Sequence, residues 1–146
     1  MTDVGDYGNF TYVATSEGHV YLLESYKPKK RVRVAKPWRE ENLRAFVKIG
    51  IGEKYVAVIY SFVRPSGDER RGLCVYTKNL IKLACKRLSY TPKDVNVIGN
   101  TVYIREFHTK RVRAYTVDAL CSESTILQKL QLVNFLNPLL YLPLDS

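Results

Sequence analysis

Three glycine-led turns recur at nearly equal intervals, and they constrain the fold more than any other feature of the chain. Gly8-Asn9 precedes Phe-Thr-Tyr-Val-Ala, Gly52-Glu53 precedes Lys-Tyr-Val-Ala-Val, and Gly99-Asn100 precedes Thr-Val-Tyr-Ile-Arg, with the glycines 44 and 47 residues apart. Upstream of the second and third turns an apolar run ends in Ile-Gly, at Ala45–Gly50 and Val95–Gly99. Downstream of each turn comes a strand-like run with a tyrosine in it: Val20-Tyr21-Leu22, Cys74-Val75-Tyr76 and Arg113-Ala114-Tyr115. A further run follows each of these, at Arg31–Val34, Ile81–Ala84 and Ile126–Leu130. A full unit therefore has four short strands, and units of this length signal a repeat architecture.

The segments themselves read as β. Runs of Val, Ile, Tyr and Phe such as Phe10–Thr15, His19–Ser25, Tyr55–Phe62, Gly72–Thr77 and Thr101–Phe107 are bounded by Gly, Pro, Asn or charge clusters, the pattern of strands joined by tight turns. Glu17-Gly18, Ser66-Gly67-Asp68 and Gly99-Asn100 supply turn chemistry. No helical periodicity exceeds two turns before residue 119. An all-β fold is expected. A period of roughly 40–45 residues with four strands per unit is what a β-propeller blade requires. Val97-Ile98-Gly99-Asn100-Thr101-Val102-Tyr103-Ile104 followed by Lys110-Arg111-Val112-Arg113-Ala114-Tyr115 resembles a blade of NHL-like and related propeller repeats. That resemblance implies a fold and no activity, and it assigns no functional residue.

Residues 1–7 are expected to form a tail and residues 8–146 a single half-propeller domain, with repeats at about 8–50, 51–98 and 99–144. Counted from the axis outward, the first blade then lacks its innermost strand. Pro138–Leu144 would be an innermost strand without a blade. Three blades do not close a ring, since propellers run from about four to eight. Open ends would leave sheet edges and apolar faces exposed. A two-fold homodimer resolves this: each chain's C-terminal strand enters the first blade of the other, beside Phe10–Thr15, to make a strand-swapped six-bladed propeller. The other reading is a single small sandwich or open barrel, with the tail folded onto its own chain. Ala119–Phe135 is ambiguous, because Ile126, Leu127, Leu130 and Val133 fit a helical face as well as a strand, with Ser124 as a cap.

Composition narrows the class of protein. With 46% apolar residues the chain is not disordered, and three Cys are too few for a secreted disulfide scaffold. The first twenty residues hold Asp3, Asp6 and Glu17 and no basic n-region, so no signal peptide is expected. The run Leu132–Leu144 is broken by Asn134, Asn137, Pro138 and Pro143 and is too short to span a bilayer. A cytoplasmic protein without a membrane partner is expected, or one in a virion or host cytoplasm if the source is viral. Gln occurs only at Gln128 and Gln131, while Val, Tyr, Lys and Arg abound; this usage leans toward heat-adapted proteins. It is similar to that of small orphan proteins of hyperthermophilic archaea and their viruses.

No catalytic, cofactor or metal constellation emerges. G-x-S-x-G, H-E-x-x-H and Walker motifs are absent, and three separated Cys with two His lack zinc spacing. His19 and His108 both fall near turns on one rim, beside Glu17 and Glu106, but no nucleophile joins them. Cys74 and Cys85 straddle Asn79-Leu80; a two-residue turn there sets them opposite each other. That allows a cross-strand disulfide, or simply two small buried apolar side chains.

What stands out is charge: 23 Lys and Arg against 14 Asp and Glu, a net +9. That excess favours acidic partners, or else only solubilises an apolar strand-rich body. The basic clusters are Lys27, Lys29, Lys30, Arg31 and Arg33, then Arg64, Arg70 and Arg71, then Lys86 and Arg87, then Lys110, Arg111 and Arg113, with Tyr26 and Trp38 flanking the first. The strand pattern puts residues 27–30 on one propeller face and residues 64–71 and 110–111 on the other, so the charge is expected to be divided. The leading expectation is a non-enzymatic scaffold presenting loops, with Trp38 a contact for a protein partner. The alternative is a nucleic-acid or anion-binding protein using the basic turns.

Overall fold

A computed structural model describes residues 2–136. Eleven strands and one helix follow in chain order: β1 (Asp3–Tyr7), β2 (Phe10–Ala14), β3 (His19–Glu24), β4 (Lys27–Arg33), β5 (Arg44–Ile51), β6 (Tyr55–Val63), β7 (Glu69–Thr77), β8 (Lys82–Arg87), β9 (Pro92–Ile98), β10 (Thr101–Glu106), β11 (Val112–Thr116) and α1 (Val117–Leu136). The strands form three antiparallel sheets in sequence order: β1-β2-β3-β4, β5-β6-β7-β8 and β9-β10-β11.

The sheets stack with the second in the middle. On one side Val56, Val58, Phe62, Cys74 and Tyr76 pack on Tyr12, Ala14, Val20 and Leu22 of the first sheet. On the other side Ala57, Ile59, Leu73 and Val75 pack on Val97, Val102 and Ile104 of the third. This explains the composition of β6: Val-Ala-Val-Ile shows no polar alternation because both faces of its sheet are covered. The first strands of the sheets lie side by side, β1 against β5 and β5 against β9. Gly50 permits the second approach, since a Cβ there would lie 2.9 Å from the Val95 carbonyl oxygen.

Three expectations are corrected. Residues 3–7 are a strand, not a tail. They were hidden because Asp3, Gly5 and Asp6 dilute the apolar pattern, yet each inward residue has a task. Asp3 Oδ2 accepts a hydrogen bond from the Ile49 amide at 2.9 Å. Gly5 leaves room for Ile51, whose Cδ1 would be 2.6 Å from an added Cβ. Because β1 pairs with β2 along its whole length, the edge beside Phe10–Thr15 is occupied, and an exchanged C-terminal strand has no vacancy there. Pro138–Leu144, the segment expected to cross over, lies outside the described residues.

The third sheet also lacks its fourth strand, because Ile126–Leu130 falls within α1. The helix begins directly after β11, where Thr116 Oγ1 accepts from the Ala119 amide at 3.2 Å, an N-cap that Ser124 was expected to provide. Val117 and Leu120 enter the core between the second and third sheets, and α1 lies against β8. Residues 27–30, expected at a turn, instead open strand β4, which continues through the expected strand residues Arg31–Arg33. Ser25 and Tyr26 make the turn instead, with φ of 48° and 64°, the left-handed pair of a tight hairpin.

Cys74 and Cys85 are register partners on β7 and β8, and their sulfurs are bonded at 2.13 Å. Cys121 is a free thiol on α1.

Candidate functional site

In an antiparallel four-strand meander, the second and third strands turn at one end and the other two hairpins turn at the opposite end. The loops leading from one sheet to the next leave from the first of these ends. One rim of the molecule therefore collects Thr15–Gly18, the loop 34–43, Arg64–Asp68, the loop 88–91 and the turn 107–111. Lys36, Arg39, Lys110 and Arg111 lie in these segments, and Arg33, Arg70 and Arg87 lie at strand ends beside them.

Trp38 is the organising side chain. The Arg70 guanidinium carbon lies 4.1 Å from its ring centroid and that of Arg64 4.9 Å, both within cation–π range. Arg64 Nε also donates to Glu40 Oε2 at 2.7 Å, an ion pair that, with Asp68 nearby, holds its pKa above the ordinary value. Arg70 donates to the Lys36 carbonyl at 3.1 Å. Among the described residues no carboxylate lies within ion-pair distance of Lys36, Arg39, Arg70 or Arg87.

Lys36, Arg70, Arg71 and Arg87 line one open cavity of about 510 Å³, together with Tyr60 and Glu69. Arg71 is committed internally: it donates to Glu69 Oε2 at 3.1 Å, to the Leu88 carbonyl at 3.1 Å and to the Ser89 carbonyl at 3.0 Å. Burial raises the pKa of Tyr60 while Arg87 and Arg70 oppose that rise, so its hydroxyl remains a neutral donor. A second cavity of about 450 Å³ continues through Lys36 to Arg33, Trp38 and Arg39. This arrangement offers several unneutralised cations and a hydroxyl donor around a solvent-open hollow, which suits anionic oxygens.

The sequence-predicted residues separate into groups. Trp38, Arg64, Arg70 and Arg71 come together as described. Lys110 and Arg111 occupy the β10–β11 turn on the same rim, exposed. Lys29, Lys30 and Arg31 belong to β4, an outer edge strand. Lys29 bonds Glu24 at 3.4 Å and covers the Phe10 ring. Lysines and Pro28 on an edge strand block its open backbone from pairing with another chain. The expected division of charge between two faces is thus incomplete, because Arg33, Lys36, Arg39 and Arg87 add to the rim. Arg33 and Arg87 belong to basic clusters legible in the sequence, whereas Lys36 and Arg39 fall outside any cluster of neighbours and were missed. Their signal was position: both lie in the loop 34–43, which leads to the same rim.

The histidines stay apart. His19 Nδ1 is 3.9 Å from Glu17, and burial, followed by Arg33 and Arg31, lowers its pKa. His108 meets Phe107 edge-on at 5.0 Å. A largely buried network forms at the root of β7, in the cavity that His108 also lines. Ser61 donates to Glu69 at 2.8 Å and Thr91 donates to the same carboxylate at 2.7 Å. Among the described residues no group of His, Cys, Asp and Glu could hold a metal ion, and no helix is long and apolar enough to cross a membrane.

The chain matches no known protein family, and a search of curated proteins finds no match to it.

Proposed function

We propose that this is a non-enzymatic binding protein whose basic rim takes the phosphate backbone of a nucleic acid. The observation that carries this reading is the convergence of Lys36, Arg70 and Arg87 on one hollow without carboxylate partners, while Arg33 and Arg39 extend the same field. Trp38 supports it in an unforeseen way. What the rim presents around this ring is guanidinium, held in place by the indole, rather than a bare aromatic for a protein partner. Stacking on an aromatic face orients arginine for bidentate contact with phosphate.

The test is fluorescence anisotropy with a labelled polynucleotide across a salt series. Binding should weaken with salt, by about 0.7 to 0.9 in log K per log unit for each phosphate neutralised. The double variant Arg70→Glu, Arg87→Glu should weaken binding at least tenfold and flatten that slope. Absence of binding at about 50 mM salt, where backbone contacts are strong, overturns the proposal.

A second reading concerns assembly, and a different observation supports it. Among the described residues the end sheets each leave an outer face without a neighbour: Val4, Val13, Tyr21 and Leu23 on the first, and Ile98, Tyr103 and Val112 on the third. Ile98 is 63% exposed and Val112 58%. Three stacked sheets with adjoining inner strands make half of a six-bladed propeller, and a second copy covers both faces at once. Closure then proceeds by face packing, without strand exchange beside β2.

A further inference from the structure

Beside the basic hollow, and sharing Glu69 with it, lies a third cavity of about 360 Å³ whose character is different. Its walls are Phe46, Val63, Pro92 and Phe107, with Arg44 and His108 at the rim. Phe107 stands 55% exposed in the β10–β11 turn, while its backbone amide is fixed to the Thr91 carbonyl at 2.8 Å. What distinguishes Phe107 from the other exposed apolar side chains is its place: its ring lines this cavity together with Arg44, which has no carboxylate partner among the described residues.

We infer that this cavity is a base slot, and that the ligand of the rim is single-stranded nucleic acid rather than duplex. The inference rests on the phosphate-binding reading above and adds the substrate class. Charge complementarity selects the occupant: Arg44 at the slot and Arg70 and Arg87 in the adjoining hollow hold a backbone on either side of an unstacked base. A single strand can splay a base onto Phe107, whereas a duplex keeps its bases paired and stacked and has none to insert. The inner end of the slot offers a base edge no uncommitted hydroxyl donor. Ser61 and Thr91, the hydroxyls at its inner end, both already donate to Glu69, and Arg71 occupies the other carboxylate oxygen. Recognition therefore runs through the face of the base, and tolerates different sequences.

The experiment measures anisotropy of one labelled oligonucleotide, alone and annealed to its complement, against the full chain and three variants. The single strand should bind at least tenfold more tightly than the duplex. Phe107→Ala should lower single-strand affinity roughly tenfold or more, the scale of one lost base stack, and leave duplex affinity unchanged. Phe107→Tyr should retain the preference. Arg87→Glu should weaken both ligands. Equal affinity for the two forms, or an equal loss for both in Phe107→Ala, overturns the slot while leaving the phosphate-binding rim in place. No binding of either form at low salt overturns the rim reading itself.

Discussion

Single residues here act by what they hold in position. Asp94 shows this most clearly. Its Oδ1 accepts from Lys48 at 2.9 Å, and Oδ2 accepts from Arg105. Lys48 belongs to β5, so one carboxylate ties the second sheet to the third. These two hydrogen bonds hold its pKa below the ordinary 3.8. A carboxyl whose pKa is lower in the folded state contributes stability that is complete above the unfolded value. That contribution is lost as pH falls through the folded value. Denaturant titrations from neutral pH to below 3.8 should therefore show a loss of stability in the wild type that is smaller in Asp94→Asn. Parallel curves for the two proteins would mean that the bridge contributes nothing.

At the scale of elements, the close approach of first strands decides the stacking. β5 and β9 approach backbone to backbone, which only glycine permits at position 50. Gly50→Ala should push the third sheet away and destabilise the protein by about 1–3 kcal/mol, the usual effect of forcing a methyl group into a packed site. A chemical melt measures it; an unchanged midpoint would show that the sheets part freely. The same scale explains which strands were legible. β2, β3, β6, β7 and β10 were readable because alternating or continuous apolar runs mark faces that meet a neighbouring sheet. β1 was not, because its inward positions serve the backbone of β5 through a carboxylate and a missing side chain. The stretch after Thr116 was open to both readings because its apolar spacing satisfies both periods. The Thr116 cap and the fit of Val117 and Leu120 into the core settled it as helix.

For the whole molecule, incomplete burial is the governing fact. Among the described residues the middle sheet is covered twice and each end sheet once, so two faces with exposed apolar side chains remain. If a second copy covers them, light scattering should return close to twice the chain mass of 16.8 kDa. The replacements Ile98→Lys and Val112→Glu should then leave folded single chains. A wild-type chain that is already a single copy would remove the six-bladed assembly and leave the rim chemistry untouched.

Periodicity along the chain determined the β class, the three repeated units and turns such as Glu17-Gly18 and Gly99-Asn100, because local strand and turn preferences are written in neighbouring residues. Opposition of Cys74 and Cys85 was expected from a two-residue turn at Asn79-Leu80; the structure reaches it by a longer turn between Thr77 and Ile81 and a register shift between Val75 and Tyr76. Only the tertiary structure decided where the charge gathers. Lys36, Arg70 and Arg87 are distant in sequence and belong to different segments, and they meet because antiparallel meanders deliver alternate chain ends to one rim. The part of Glu69 in joining the hollow to the aromatic slot was equally invisible. It depends on Ser61, Arg71 and Thr91 arriving from three strands and loops, and no local pattern records a meeting in space.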